Sequence, residues 1–359
     1  MKIKYYDKLK AQIERGKQGL NKGIPFNNFT TLSDYIMNIQ QGRYDLVFAG
    51  TSVGKSAFID STYIYGAIEF LQKNPDYVHN LEIIYYALEI KPEAQLAKHI
   101  AKKIWEDHGI LTSTNEILSR GNHKIRPDVE FLVASYQKEL EEIQNKYIHY
   151  RTSLNPDFLY KDLMGYAEKR GTITRNNDGL VIDYIPNNPG LITLIVIDHI
   201  GLIDLGKYSD LKAAIDKCSK NLVFFRNMFN FSPLVVVQMN RGSEQMDRRD
   251  NDNWMPMLSD IKNTANLSED CNTAIGIASP FYYGIKSCLG YDITLFKDRY
   301  RLVKICKNRD GSTNLQASFL FIGEVGKYEQ LNNEDGKNSK PETLKKIDQY
   351  YGKIKKTTS

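Results

Sequence analysis

Residues 44–60, YDLVFAGTSVGKSAFID, constrain the fold more than any other stretch of this sequence. The apolar run predicts a strand, the small residues predict a tight loop, and the residues from Lys55 onward predict a helix. The loop fits the phosphate-binding pattern G-x-x-x-x-G-K-[ST] except at its first glycine, where Ala49 stands. A methyl group is the smallest addition to glycine and is tolerated where the backbone φ is negative. In this pattern Lys55 reaches the β- and γ-phosphates and the Ser56 hydroxyl ligates Mg²⁺.

Three polar side chains follow other apolar strand-like runs. Asp198 ends LITLIVID, the position from which a carboxylate at the carboxyl edge of a sheet can hold a metal ion. Glu89 ends LEIIYYALE, and a buried carboxylate is costly unless it has a task or a partner, so we expect it to polarise the attacking water. Gln238 ends PLVVVQ and can sense the γ-phosphate through a hydrogen bond.

Strand-like and helix-like segments alternate along the chain. The near-continuous apolar strands are typical of a parallel sheet that is covered by helices on both faces. After residue 270 the strand runs are joined by short turns, which predicts an antiparallel extension of the same sheet. The predicted fold class is therefore α/β, with a mostly parallel twisted sheet, flanking helices and antiparallel strands at the C-terminal side. The predicted helices include EAQLAKHIAKKIWED, VEFLVASYQKELEEIQNKY and SDLKAAIDKCSKNLVFFRNMF.

Composition limits the class of protein. The 359 residues are 42% hydrophobic and carry a net charge of +5, so the chain can bury a core and suits an anionic partner. Its four cysteines form no C-x-x-C pair and no apolar leader begins the sequence, which predicts a reducing, cytoplasmic setting. No apolar run approaches the roughly 18 residues that a membrane span needs, so we expect no membrane association.

The order of these segments resembles the ATPase domain of DnaB-type replicative helicases, within the RecA-like group of P-loop NTPases. The resemblance covers about residues 20–330. It rests on seven segments in the family's order: GIPFNNFTTLSDYI, AGTSVGKSAF, YALEI, IVIDHIGLI, VVVQMNR, LSDIKNTANLSED and KICKNRDGS.

The resemblance implies roles for individual residues. It implies Mg²⁺ held through Ser56 and Asp198, Glu89 as the base for water and Gln238 as the γ-phosphate sensor. It also implies that Lys307 and Arg309 serve the nucleotide of a neighbouring subunit, Arg309 as an arginine finger. The implied contacts to ATP, or to another NTP, come from the loop and the start of its helix: Ala49, Gly50, Thr51, Ser52, Val53, Gly54, Lys55, Ser56 and Ala57.

The segment LSDIKNTANLSED resembles the family's loop that grips single-stranded DNA. Lys262 replaces the arginine that the family usually has here, so a phosphate contact survives as a point charge while the geometry of a guanidinium is lost. The resemblance therefore implies DNA contacts by Lys262, Asn263 and Ala265. Lys307 and Arg309 stand two apart, so on a strand their side chains share a face and require an anionic partner.

The sequence divides into three segments. Residues 1–20 predict a linker or docking helix, residues 21–330 the ATPase domain, and residues 331–359 a polar, lysine-rich tail that we expect to be loosely held, with one helix. Only a short helix precedes the predicted domain, so no primase activity is expected of the chain itself, and its size resembles forms encoded by viruses or mobile elements.

The implied function is a ring-forming helicase, hexameric by family resemblance, that travels 5′ to 3′ on single-stranded DNA. A primase or a helicase loader would be its further partner. Two other interpretations stay open at this point. One is a RecA-like recombinase or DNA-annealing ATPase that forms filaments without unwinding, and the other is a nucleotide-bound scaffold without hydrolysis.

Overall fold

A computed structural model describes residues 5–240, 254–262, 266–331 and 341–357. Its strands lie in one large sheet and two small two-stranded sheets. They are β1 Asp45–Ala49, β2 Asn80–Ala87, β3 Ile148–Arg151, β4 Gly171–Arg175, β5 Val181–Pro186, β6 Leu191–Asp198, β7 Ser232–Gln238, β8 Thr273–Ala278, β9 Ser287–Cys288, β10 Tyr291–Asp292, β11 Tyr300–Asn308, β12 Gln316–Ile322 and β13 Lys327–Leu331.

Helices cover both faces of the large sheet, and a π-helical segment, Asp60–Ile64, joins the third helix to the fourth. The α-helices are α1 Tyr5–Lys17, α2 Thr30–Ile36, α3 Lys55–Ile59, α4 Tyr65–Lys73, α5 Pro92–His108, α6 Thr114–Ile117, α7 Pro127–Ser135, α8 Gln137–Lys146, α9 Pro156–Arg170, α10 Leu211–Phe229, α11 Asn266–Asp270, α12 Ile293–Phe296 and α13 Glu342–Thr357. Short 3-10 helices include Ile200–Leu202, Leu258–Asp260 and Pro280–Tyr283.

The large sheet has nine strands in the order β13-β12-β11-β8-β1-β7-β6-β2-β3. The six strands from β8 to β3 run parallel, and β11, β12 and β13 continue the sheet with antiparallel pairs. The predicted fold class is thus confirmed. The antiparallel extension begins one strand later than the change of pattern at residue 270 indicates, because β8 still pairs in parallel with β1.

Alternation along β1 shows why these runs form buried strands. Leu46 and Phe48 pack into the core on one face of the sheet, while Val47 and Ala49 pack into the core on the other. All four side chains are fully buried, as the two-residue period of a strand between two helical layers requires. The carboxyl ends of the parallel strands therefore meet along one edge of the sheet.

The structure differs from the predicted elements in three places. The single helix expected over VEFLVASYQKELEEIQNKY is two helices, α7 and α8, which meet at Tyr136. The hairpin of β4 and β5 was not predicted. The C-terminal helix α13 is not loosely held, since Leu344 and Ile347 are buried against the core that contains Trp105 and Trp254.

Among the described residues, no helix is both long and apolar enough to cross a membrane.

Candidate nucleotide-binding site

The loop between β1 and α3 has the backbone that its sequence predicts. Ala49 is the last residue of β1 and is not among the residues with positive φ, so its methyl group is accommodated. Ser52 and Gly54 have φ values of 59° and 98°. A Cβ atom on Gly54 would lie 2.8 Å from Cζ of Phe321, so both its conformation and its packing require glycine.

A cavity of about 320 Å³ opens beside this loop. It is lined by residues from the loop, from the carboxyl ends of three neighbouring strands, from α5 and from the turn after β12. The lining residues are Thr51, Ser52, Gly54, Lys55, Ser56, Ala57, Glu89, Ile90, Lys98, His199, Gln238, Phe321 and Gly323. The predicted contacts Ala49, Gly50 and Val53 are buried behind this wall.

Strand register brings the sensor and the loop together. Ala49 pairs with Gln238 where the parallel strands β1 and β7 end side by side. The Gln238 amide Nε2 donates to Oγ1 of Thr51 over 2.7 Å, and Nζ of Lys55 donates to the Gly50 carbonyl over 3.1 Å. The lysine and the glutamine thus face one cavity, at the edge of the sheet where ligands of such folds bind.

The Asp198 carboxylate fits a metal ligand. It is 1% exposed, its Oδ2 accepts a hydrogen bond from the Tyr85 hydroxyl over 3.2 Å, and its Oδ1 has no partner among the described residues. A buried carboxylate oxygen without a partner is costly, so a cation beside it would be stabilising. No described group of three or more His, Cys, Asp or Glu side chains could hold a metal ion alone. Mg²⁺ suits this arrangement, since it is usually bound by one or two carboxylates together with substrate phosphates.

Glu89 differs from its predicted environment. The strand β2 ends at Ala87, where it pairs with Asp198, and the Glu89 side chain is 49% exposed rather than buried. Its backbone N–H donates to the Asp198 carbonyl over 3.3 Å. The expectation of a buried carboxylate was wrong because the strand stops two residues earlier, which places Glu89 at the open side of the cavity.

His199 lines the cavity next to Glu89, with 3.9 Å between Nε2 and a Glu89 carboxylate oxygen. Its Nδ1 accepts a hydrogen bond from the Gly201 N–H, so a neutral ring carries its proton on Nε2, facing Glu89. Burial lowers the pKa of His199; Glu89 opposes this effect, and Lys262 adds to it. The neutral ring therefore separates Glu89 from the metal carboxylate.

An unexpected ion pair forms another part of the wall. Asp60 follows Ser56 by four residues, and its Oδ2 lies 3.5 Å from Nζ of Lys98, which lines the cavity. Burial raises the pKa of Asp60 to about 6; Lys98 opposes this rise, and Asp198 adds to it. The buried carboxylate thus holds a second cation at the cavity, besides Lys55.

Lys307 and Arg309 lie elsewhere. Lys307 Nζ donates to the Ser268 and Glu269 carbonyls over 2.6 and 2.8 Å, and an Arg309 guanidinium nitrogen donates to the Glu269 carbonyl over 2.5 Å. Both side chains therefore point to the same place, the C-terminal end of α11. Neither is among the residues that line the nucleotide cavity.

Only part of the predicted DNA loop is described. Lys262 is exposed, directly after Ile261, which forms an antiparallel bridge with Met239 at the end of β7. The predicted DNA contacts Asn263 and Ala265 lie outside the described residues. Lys262 thus lies at the same edge of the sheet as the nucleotide cavity.

Sequence reasoning missed several residues of the site. Tyr85, which donates to Asp198, looks like any other apolar strand residue, and Phe321 is far from the loop in sequence. Asp60 did carry a signal, because a charged residue one helical turn after Ser56 falls on the same helix face. Lys98 could be found only once the position of α5 over the cavity was known.

The sheet order and the loop before α3 define a RecA-like P-loop NTPase. The model of the DnaB-like helicase C-terminal domain family matches residues 23–330, and the chain belongs to that family. It is similar to a solved ATPase domain of a DnaB-like replicative helicase, with a TM-score of 0.66 and 18% identity over 92% of this chain and 100% of that one. A comparison with proteins of curated function found no significant match.

A second similar structure is a DnaB-like replicative helicase that was solved in a study of its interactions with primase. Its TM-score is 0.62, with 19% identity over 86% of this chain. The present chain spans 64% of that protein's length.

Proposed function

We propose that this chain is a Mg²⁺-dependent NTPase that moves along single-stranded DNA and unwinds the duplex during DNA replication. The observation that carries the proposal is the convergence of Lys55, Glu89 and Gln238 on one cavity beside the buried Asp198. Family membership supplies the link from this NTPase chemistry to DNA.

Each side chain has a distinct task in hydrolysis. Lys55 stabilises the charge that develops on the transferring phosphoryl group. Glu89, at the open side of the cavity, orients and deprotonates the attacking water, while Gln238 senses the γ-phosphate and transmits its presence to Thr51. Ser56 and Asp198 would hold Mg²⁺, which neutralises charge between the β- and γ-phosphates when it is bound. Tyr85 fixes Oδ2 of Asp198 and leaves Oδ1 for the metal.

A ring, hexameric by family resemblance, is the assembly that we propose. Helix α1 exposes an apolar stripe of Tyr6, Leu9 and Ile13, which are 65%, 54% and 50% exposed and fall on one helix face. Such a stripe suits docking of this helix onto an adjacent subunit. Lys307 and Arg309 would then reach the nucleotide of that neighbour.

Lys262, Asn263 and Ala265 are the proposed contacts to single-stranded DNA, and a primase or a helicase loader is the proposed further partner. Travel from 5′ to 3′, a cytoplasmic setting and a viral or mobile-element origin complete the proposal. These points rest on the family resemblance together with the charge and cysteine pattern of the sequence.

The proposal is tested with a forked DNA that carries a 5′ tail, a 3′ tail or both. We expect strand separation that requires NTP, Mg²⁺ and the 5′ tail, and none with the Lys55→Ala variant. Negative-stain images with a non-hydrolysable nucleotide should show closed rings. Extended filaments without strand separation would contradict the proposal and favour the recombinase or annealing ATPase.

A further inference from the structure

A second cavity, of about 190 Å³, lies on the other side of the phosphate loop. Thr51 lines both cavities, and it accepts the hydrogen bond from the sensor Gln238. The second cavity is lined by the loop, by the carboxyl ends of β7 and β8 and by a tyrosine pair after β8. Its lining residues are Gly50, Thr51, Val53, Met239, Ile277, Ala278, Ser279, Tyr282 and Tyr283.

The lining suits a flat aromatic ligand with a polar edge. Met239 and Ile277 give apolar walls, and the Tyr282 ring is 50% exposed at the mouth. Ser279 is 1% exposed, and its Oγ has no hydrogen-bond partner among the described residues. A buried hydroxyl without a partner is costly, so a polar atom that entered the cavity would be favoured there. The volume is below the roughly 300–1,000 Å³ of sites for drug-sized ligands.

The cavity adjoins the proposed DNA path. Met239 lines it and also pairs with Ile261, the residue before the exposed Lys262. A strand whose phosphate is bound by Lys262 therefore passes close to the mouth of this cavity. Aromatic side chains stack on bases of any sequence, because every base has a π-face.

We propose that this second cavity binds a nucleobase of single-stranded DNA, with Tyr282 stacking on the base and Ser279 hydrogen-bonding its edge. The inference rests on the proposed function, since it requires that the chain binds single-stranded DNA. Occupancy of the cavity is read by the nucleotide site through Thr51, which contacts the sensor. The site couples a base, rather than only the phosphate backbone, to the state of the nucleotide.

The test compares a normal oligonucleotide with an abasic one of equal length and charge. Binding is measured by fluorescence anisotropy at fixed salt with a non-hydrolysable triphosphate. Loss of the bases should weaken binding to the unchanged chain by about 5- to 150-fold, the range expected for one stacked base. Tyr282→Ala should bind the normal strand as weakly as the abasic one, whereas Tyr282→Phe should keep the preference. Ser279→Ala should lose part of it.

Phe131→Ala is the matched control, because Phe131 is 75% exposed on α7, away from the cavity, and its removal should leave the base preference intact. Equal affinity of the unchanged chain for both strands would overturn the inference and leave the proposed function standing. Loss of the preference in Phe131→Ala as well would also overturn it. Failure of the unchanged chain to bind either strand would remove the proposed function, and the inference with it.

Discussion

The nucleotide cavity and the pair Lys307 and Arg309 both gather cations at the ends of strands in one sheet, but the partners of those cations differ. At the cavity, Lys55 and Lys98 line open space of a size that a ligand can fill. On β11 and just after it, the two cations donate to carbonyls at the C-terminal end of α11. The first arrangement brings its catalytic groups together within one chain. The second can reach a phosphate only if these carbonyl bonds are exchanged for a neighbour's nucleotide.

That difference gives Arg309 two roles that can be separated by experiment. Cations near the carbonyl end of a helix are favourable because they satisfy carbonyls that have no partner within the helix. A purely local role predicts a change in stability, whereas a role in trans predicts a change in hydrolysis that depends on the assembly.

The largest expected effect is that of Arg309→Ala on DNA-stimulated hydrolysis. An arginine finger supplied in trans contributes roughly 10³-fold or more to the rate, so most of the stimulated turnover should be lost. Nucleotide affinity, measured by titration with a fluorescent nucleotide, should stay nearly unchanged. Circular dichroism provides the control for folding.

Mixing variants sharpens this test. An interface that joins an intact phosphate loop from Arg309→Ala to an intact finger from Lys55→Ala should recover turnover. Mixed assemblies that form without activity above either parent would show that Arg309 acts only within its own chain. The comparison between the two regions would then reduce to one of stability.

Lys55→Ala should have the next largest effect. Removal of a charge aimed at the transferring group withdraws electrostatic stabilisation, for which a loss on the order of 10²- to 10³-fold is typical. Steady-state hydrolysis with Mg²⁺ measures it, and Lys103→Ala is a suitable control because that lysine pairs with Asp107 on α5, outside the cavity. Unchanged turnover in Lys55→Ala would mean that the cavity is not the site of hydrolysis.

The fold was predictable wherever local pattern and tertiary packing agree. The parallel strands are buried on both faces, so their apolar runs identify them without ambiguity. The break between α7 and α8 was not predictable, because it is set by a tertiary contact. Tyr136, at the break, is 8% exposed, and its hydroxyl donates to Asp107 of α5 over 2.8 Å. No local signal in VEFLVASYQKEL marks that contact.

Glu89→Gln should be third, with hydrolysis reduced about 10²-fold or more, as is typical when a general base is removed. Because Glu89 lies 49% exposed at the open side of the cavity, its amide replacement should leave triphosphate binding nearly normal. Single-turnover hydrolysis and equilibrium binding, measured on the same preparation, separate the two effects. A parallel loss of both would give Glu89 a structural task instead.

The candidate site was predictable from sequence to the extent that its residues end strands. Asp198 and Gln238 each end a strand at the predicted edge of the sheet, and their neighbours in the cavity follow from that topology. Phe321 and Lys98 were not predictable, because they reach the cavity from elements whose position depends on the whole packed sheet. The burial of Glu89 was predicted wrongly because an apolar run does not show where strand pairing stops.

Lys262→Ala has the smallest expected effect, and it decides whether the DNA loop belongs with the nucleotide cavity or apart from it. Lys262 is exposed, follows the bridge between Ile261 and Met239, and is close enough to His199 to lower the pKa of that ring. If Lys262 contacts one phosphate, its removal should weaken single-stranded DNA binding several-fold for all base sequences. The dependence of log affinity on log salt should become shallower by about 0.7, the value for one phosphate contact on a single strand.

Lys207→Ala provides the matched control, since Lys207 is also exposed but pairs with Asp157 over 2.9 Å. Its salt dependence should equal that of the unchanged chain. If Lys262→Ala keeps the full salt slope, or weakens binding for some base sequences only, then Lys262 does not contact the backbone. In that case the DNA path would not follow the edge of the sheet that holds the nucleotide, and the nucleotide cavity would be separate from DNA binding as well as from the cation pair of β11.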